Sequence, residues 1–307
     1  MRSPQASRTS TEAESPPGER SRNQKMRTGD CSPPEPGKIS AEVVRADFND
    51  LSAVLYYTRA AHELGLWASE RALVERYFPD PQAHLFEAGC GAGRVTLGLW
   101  QLGYRRLTAF DFAGELLDQA RSLARLKHAE AITFLLADAG DLRSCRRLDD
   151  HAAAAGQLDG REVALADAQF DGALFMFNGL MQIPGRSNRR KALGELHRVC
   201  RLHAPLLFTT HDRDSSPEER ERWRLEARRW ARGEQDPRLV EFGDRYFHHE
   251  AGRTFMHLPD RSEVLADLAA TGWQHDFDAP RIEIAREHHA VSEFSDECRF
   301  WAAKRLA

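Results

Sequence analysis

His84-Leu85-Phe86-Glu87-Ala88-Gly89-Cys90-Gly91-Ala92-Gly93-Arg94-Val95-Thr96 is the stretch on which the fold turns. A short apolar run ends in an acid, Glu87, and three alternating glycines follow. A helical pattern begins at Arg94. Strand, glycine turn and helix in that order make a cradle for a small ligand. Glycine lets the backbone turn sharply and lets a ligand rest on bare main chain. The helix start behind it offers unpaired N–H groups and the positive end of a dipole.

The glycine spacing narrows the choice of ligand. A dinucleotide fingerprint reads G-x-G-x-x-G. Here the pattern is G-x-G-x-G, and Arg94 stands where the third fingerprint glycine would fall. Glu87 before the first glycine would repel a pyrophosphate and suits a cationic or hydroxyl-bearing ligand. Further along, Leu107 to Asp111 reads as a second strand ending in an acid, 22 residues after Gly89. Phe134 to Asp138 reads as a third strand ending in an acid. Phe170 to Phe177 and Leu206 to Thr210 read as a fourth and a fifth strand.

Acid, glycine loop and two further strand-end acids in this order resemble the class I S-adenosylmethionine (SAM) dependent methyltransferases, over roughly Phe78 to Lys304. The resemblance implies a Rossmann-like α/β fold. Its sheet would be doubly wound, mostly parallel and seven-stranded, with N-terminal cap helices and a helix-and-strand lid inserted after the fifth strand. It also implies SAM as cofactor. Glu87, Gly89, Cys90, Gly91 and Gly93 would form the loop around the methionine part of SAM. Asp111 would accept the ribose hydroxyls, with Phe112 beside it. Asp138 would hold the adenine amino group, with Ala139 beside it. Read singly, Asp111 and Asp138 could be ordinary helix caps, since Asp is favoured there, and Glu87 could be a surface acid.

Methyl transfer is an in-line displacement that needs alignment and a dry site more than a catalytic triad. A general base is optional. His211 follows the fifth strand and is the candidate base. Asn178 follows the fourth, where it would touch SAM or substrate. The loop reads Asn178-Gly179-Leu180-Met181-Gln182 and lacks the N/D-P-P-aromatic sequence of amino-directed nucleic-acid methyltransferases. His248, His249 and His257 lie in the insert without metal-ligand spacing, so no metal is expected.

Composition limits the alternatives. The chain has 307 residues, 41% hydrophobic, with a net charge of −4, so no global field favours nucleic acid. No apolar run approaches the ~18 residues of a membrane span, and no apolar signal segment is visible at the N-terminus. Five scattered cysteines form no C-x-x-C pair. The expectation is a cytoplasmic protein. Residues 1–39 hold six of the 14 prolines and no Leu, Val, Phe, Trp or Tyr, which predicts a disordered tail before a domain over 40–307.

Within that domain, Asp50 caps a predicted helix carrying Leu51, Val54 and Leu55. Others are predicted over Leu66 to Phe78, Gly114 to Leu126, Asn188 to Leu202 and Arg261 to Ala270. Residues 143–167 read as an inserted polar loop. The lid, about 211–260, opens with Ser216-Pro217 and Glu219 as a capping box. Residues 281–285 and 298–303 read as the final antiparallel hairpin. Tyr56, Tyr57 and Trp67 are candidate lid aromatics, while Trp223, Trp230, Tyr246 and Phe247 suggest an apolar pocket. Arg186, Arg189, Arg190, Lys191 and the arginines of 220–232 could meet RNA or simply be solvated. Three functions therefore stand: methyl transfer to a small molecule or peptide, a tRNA or rRNA methyltransferase, and a non-catalytic SAM-binding protein.

Overall fold

A computed structural model describes residues 37–148 and 160–306. Its centre is β1 (His84–Ala88), whose last four residues are all buried. A strand covered on both faces needs a continuous apolar run rather than alternation. It pairs in parallel with β2 (Arg106–Asp111) on one side and β6 (Gly172–Phe175) on the other. Beyond β2 lies β3 (Thr133–Asp138), and beyond β6 lies β7 (Pro205–Thr210), both parallel. The chain thus reverses direction across the sheet between β1 and β6, the switch point where such sheets bind ligands. An antiparallel pair, β11 (Arg299–Arg305) and β10 (Trp273–Pro280), closes the β7 edge.

Among the described residues the sheet has nine strands, where seven were expected. The additional pair is β4 (Asp141–Leu148) and β5 (Gly160–Val163), an antiparallel hairpin on the β3 edge. It occupies the stretch read as a loop, although residues 149–159 lie outside the described residues. Only Leu142, Cys145 and Leu148 of β4 are buried, and Arg143, Arg146 and Arg147 face outward. A strand with so few buried positions among its charges has no apolar signature to read. The final hairpin also differs, because its first strand is 273–280 and Arg281–Ile284 forms a helical turn.

Helices α4 (Arg94–Gln101) and α5 (Gly114–Leu126) cover one face, where Leu97, Leu116 and Leu117 pack with Leu85 and Leu107. On the other face α6 (Arg186–Val199) and α8 (Arg261–Ala270) bring Leu193, Leu196, Val264 and Leu268 onto Phe86 and Phe110. Phe86 stacks between Phe110 at 5.2 Å and Phe170 at 4.4 Å.

Three helices precede β1: α1 (Ala41–Phe48), α2 (Leu51–Glu63) and α3 (Ala68–Tyr77). Ser40 caps α1, and Asp50 caps α2 by accepting from the Ser52 N–H at 2.9 Å. Leu51 and Leu55 are 69% and 61% exposed, so the buried face of α2 is Ala53, Ala60 and Ala61 instead. Order also begins earlier than residue 40. Ile39 is buried, and Lys38 donates to the carbonyls of Pro237 and Leu239. The rest of the expected tail, 1–36, lies outside the described residues.

Helix α3 is fastened to α4 by a buried ion pair. Arg94 donates to both carboxylate oxygens of Glu70 at 2.6 and 2.7 Å, and Glu70 also accepts from the Trp67 N–H.

The insert carries α7 (Pro217–Ala231), capped by Ser216, and a hairpin of β8 (Asp244–His249) and β9 (Gly252–His257). Of α7 only Trp223 is buried. Residues 239–242 form no strand. The hairpin docks on the cap through Tyr246, whose hydroxyl donates to Asp47 at 2.7 Å.

Breaking a buried pair by removing one partner strands the other charge and typically costs about 3–5 kcal/mol. Glu70→Ala is expected to lose about that much in chemical denaturation, and Glu70→Gln less. An unchanged midpoint would show that the pair does not hold the cap.

Candidate active site

The glycine loop leaves β1 through three residues of positive φ: Gly89 at +61°, Gly91 at +53° and Gly93 at +85°. At Gly89 the requirement is also steric, because a Cβ there would lie 2.7 Å from the Phe175 ring. A Cβ on Gly179 would lie 2.5 Å from the same ring. Gly93 is the left-handed cap of α4, where a Cβ would press on Ala120 at 3.1 Å.

Asp111, at the end of β2, braces the loop from the side. One carboxylate oxygen accepts from the Gly91 N–H at 2.7 Å and the other from the Ala113 N–H at 2.9 Å. A carboxylate has about four acceptor sites, so Asp111 keeps capacity for a ligand's hydroxyls. Burial pushes its carboxyl up to about 6, against the amide hydrogen bonds. Glu87 is buried beneath the loop and accepts from the Thr96 hydroxyl. Burial pushes it up to about 8, while Thr96 and Arg94 pull the other way. Asp138 is half exposed and accepts from the Gly140 N–H at 2.7 Å.

These acids open on one cavity with about 1040 Å³ of empty space, counting its mouth. The cap supplies part of the wall through Val44, Phe48 and Tyr57, and the opposite wall is Gly179, Gln182, Ile183 and Pro184. Glu87, Gly89, Cys90, Gly91, Asp111, Phe112, Asp138 and Ala139 all line it. Gly93 does not, which leaves it the structural task of starting α4. Arg94 is the one cation among the cavity's lining residues, and Glu70 already neutralises it. A pyrophosphate would therefore meet acids and no free counter-charge, whereas the donor-rich ribose and the ammonium and sulfonium groups of SAM fit this set.

Asn178 and His211 come together just outside that lining. Asn178 has φ +60° and its side-chain amide stands 3.1 Å from His211 Nε2. His211 Nδ1 lies 2.9 Å from the Glu297 carbonyl, which can only accept, so Nδ1 carries the proton and Nε2 accepts from Asn178. Burial lowers the His211 pKa, keeping the ring neutral. Its free lone pair is thus already engaged, while Asn178 Oδ1 is buried without a partner.

Several other expectations resolve differently. Tyr57 lines the cavity, Trp67 lies under the Arg94 guanidinium at 4.5 Å, and Tyr56 stacks on Phe294 at 4.6 Å. Trp223 and Trp230 pack edge-on against Phe242, forming the insert's own core instead of a pocket. None of His248, His249 and His257 reaches the cavity lining. His257 converges with Glu241 and Asp244, but the Arg189 guanidinium, 2.8 Å from Glu241, already takes the place of a cation there. The arginine clusters are largely spent internally. Arg222, Arg224 and Arg229 pair with Glu219, Glu221 and Glu226, and Arg186 and Arg190 share Asp267. The cap helix α1 and the Gln182 to Pro184 wall went unnoticed in the sequence. Ser40 four residues before Val44, and Val44 four before Phe48, was the available signal for α1.

Residues 85–202 match the family model described as a methyltransferase domain. Over these residues, which hold the glycine loop and the strand-end acids, the chain is similar to methyltransferase domains. No match was found among curated proteins. Among solved structures, a SAM-dependent methyltransferase of Methanosarcina mazei is similar at 17% identity, over 79% of this chain and 99% of that one, with a TM-score of 0.56. A [4+2]-cyclase is similar at 15% identity over 88% and 98%, TM-score 0.59. Magnesium protoporphyrin IX methyltransferase of Synechocystis PCC 6803, solved with bound SAM, is similar at 13% identity over 86% and 96%, TM-score 0.51. At such identities the likeness is one of fold, and the cyclase is a reminder that one fold hosts several chemistries. Among the described residues no helix is long and apolar enough to cross a membrane.

An acid raised by burial contributes stability that is present below its ordinary range and lost as pH rises through its folded pKa. The ligand-free domain is therefore expected to melt at falling temperature as pH rises through about 8, where Glu87 ionises. Glu87→Gln should flatten that part of the melting profile. An identical slope in the variant would mean that Glu87 is not the buried titrating group.

Proposed function

We propose that this protein transfers the methyl group of SAM to a small, uncharged and largely apolar acceptor. The observation that carries the reading is the division of the cavity. Its ionisable side chains are the three strand-end acids and the neutralised Arg94, together with Tyr57 and Cys90, whose pKa values burial raises. Val44, Phe48, Ile183 and Pro184 leave the rest apolar, with Gln182 and Tyr57 as the polar groups that could orient a substrate. A charged acceptor would find no free partner there, and the acids beside Arg186, Arg190, Arg222, Arg224 and Arg229 reduce the local positive charge on which an RNA reading would draw.

In this reading Glu87 and the loop of Gly89, Cys90 and Gly91 hold the amino-acid end of the cofactor. Asp111 takes the ribose hydroxyls, and Asp138, with Phe112 and Ala139, takes the adenine. SAM would supply an electrophilic methyl on a sulfonium. The residues of this chain align the acceptor and exclude water, which supplies most of what an in-line displacement needs. An acceptor lone pair forms the new bond to carbon as the carbon–sulfur bond breaks, and the electron pair stays on sulfur. His211 would help as a base only after giving up its hydrogen bond to Asn178. Residues 40–307 act as one catalytic domain, with 211–260 shaping the acceptor side through the wall it supports.

Thermal unfolding with SAM, S-adenosylhomocysteine and NADH tests the cofactor, because a ligand of the folded state raises the midpoint. A rise with the first two and none with NADH is expected, and no rise with either would overturn the reading. By calorimetry Asp111→Ala should weaken SAM binding by about 1–3 kcal/mol, the cost of unmatched polar groups. Wild-type SAM affinity should also increase as pH rises through about 6 and about 8, since a cationic ligand favours ionised Asp111 and Glu87.

A further inference from the structure

Behind the Gln182 to Pro184 wall lies a cluster of charge that the cofactor site does not use. Arg189, on α6, is 1% exposed. Its Nη1 donates to the Ile183 carbonyl at 3.3 Å, and its Nη2 stands 2.8 Å from Glu241 and 3.4 Å from Glu263. His257, on β9, is equally buried. Its Nδ1 lies 2.8 Å from Asp244 and its Nε2 2.8 Å from Glu263. Asp244 is fixed in turn by the N–H groups of Val240 and Glu241. Arg213 completes the cluster, donating to Asp260 at 2.8 Å and reaching Glu263 at 3.5 Å.

A neutral imidazole has one N–H, and here both ring nitrogens face carboxylate oxygens at hydrogen-bond distance. A neutral ring would set its lone pair against one of them. His257 therefore carries both protons and stands as a buried cation between β8 and α8. Burial pulls its pKa down, but the hydrogen bonds to Asp244 and Glu263 outweigh this and raise it.

We infer that Arg189 and the doubly protonated His257 are positioning residues that tie the acceptor-side wall of the cavity at Ile183 and Pro184 to the inserted segment. Among the described residues no other charged side chain donates to the Ile183 carbonyl, while Glu241 and Glu263 place Arg189 and His257 places Glu263. The cluster acts on the wall whether or not SAM is the ligand, so its failure and the failure of the cofactor reading are separable.

The sign of the pH dependence follows. A histidine of raised pKa stabilises below its ordinary range, and that contribution is lost as pH rises through its folded value. Hydrogen exchange of the amides of 180–189, corrected for the intrinsic effect of pH, reads the wall directly. Protection in the wild type is expected to fall at least about tenfold between pH 6.5 and pH 9. Protection is read relative to β2, whose peptides report the domain-wide loss that Glu87 brings in both proteins; on that scale His257→Gln should show low wall protection at both pH values. A conservative variant, Arg189→Lys, keeps the charge but cannot bridge Ile183 and Glu241. It should lose wall protection at both pH values while its melting temperature still falls with rising pH. Constant wild-type protection, or a His257→Gln protein that keeps the pH-dependent loss, would overturn the inference. So would recovery of protection at pH 9 on adding Zn²⁺ alone, which would make the cluster a metal site.

Discussion

The guanidinium of Arg94 is the point on which the cavity depends. It begins α4 directly after the last glycine of the loop. It donates to Glu70 with both terminal nitrogens and to the carbonyl of Gly65 at 2.8 Å. Its plane also lies 4.5 Å from the Trp67 ring and 5.6 Å from that of Phe177. One side chain therefore joins the loop, the helices that cap it and the turn after β6. Lysine could hold the charge but not the fork and the stacking together. Because the ion pair is out of water, neither member is tolerable without the other, so loop and cap are stable as a unit.

A second constraint is the excess of acid in a buried space. Glu87 and Asp111 sit close together under the loop, and burial raises both. The fold keeps them because the strand ends and the glycine turn give each a fixed donor: Thr96 for Glu87, Gly91 and Ala113 for Asp111. The site is thus set up for a ligand rich in donors and positive charge, and part of its own stability is withheld until such a ligand arrives.

How much of this could be read in the sequence follows the range of the interactions. The β1, β2, β3, β6 and β7 strands were legible because each is a short apolar run ending near an acid or a turn. Helices α5 and α8 were legible to the residue, since their apolar positions recur at helical spacing. Asp50 and Ser216 announced their helices through local capping chemistry. The β4–β5 hairpin was not legible, because its partner-facing residues are few and its arginines imitate a loop. Nor was the burial of α2, where Leu51 and Leu55 point outward and small alanines make the contact. The cluster of Arg189, Glu241, Asp244, His257 and Glu263 has no sequence signature at all. Its members come from two helices, two strands and a loop, and only the folded chain brings them within hydrogen-bond reach.

Phe175 closes the account from another direction. Its ring fills the gap between the cofactor loop at Gly89 and the acceptor wall at Gly179, too close to either for a side chain there. The three positions therefore form one steric unit, although 86 residues separate the first from the second. Among descendants of this sequence they should drift together: a methyl gained at either glycine calls for a smaller residue at 175, and a family in which 89, 175 and 179 vary independently would have to carry a differently shaped site.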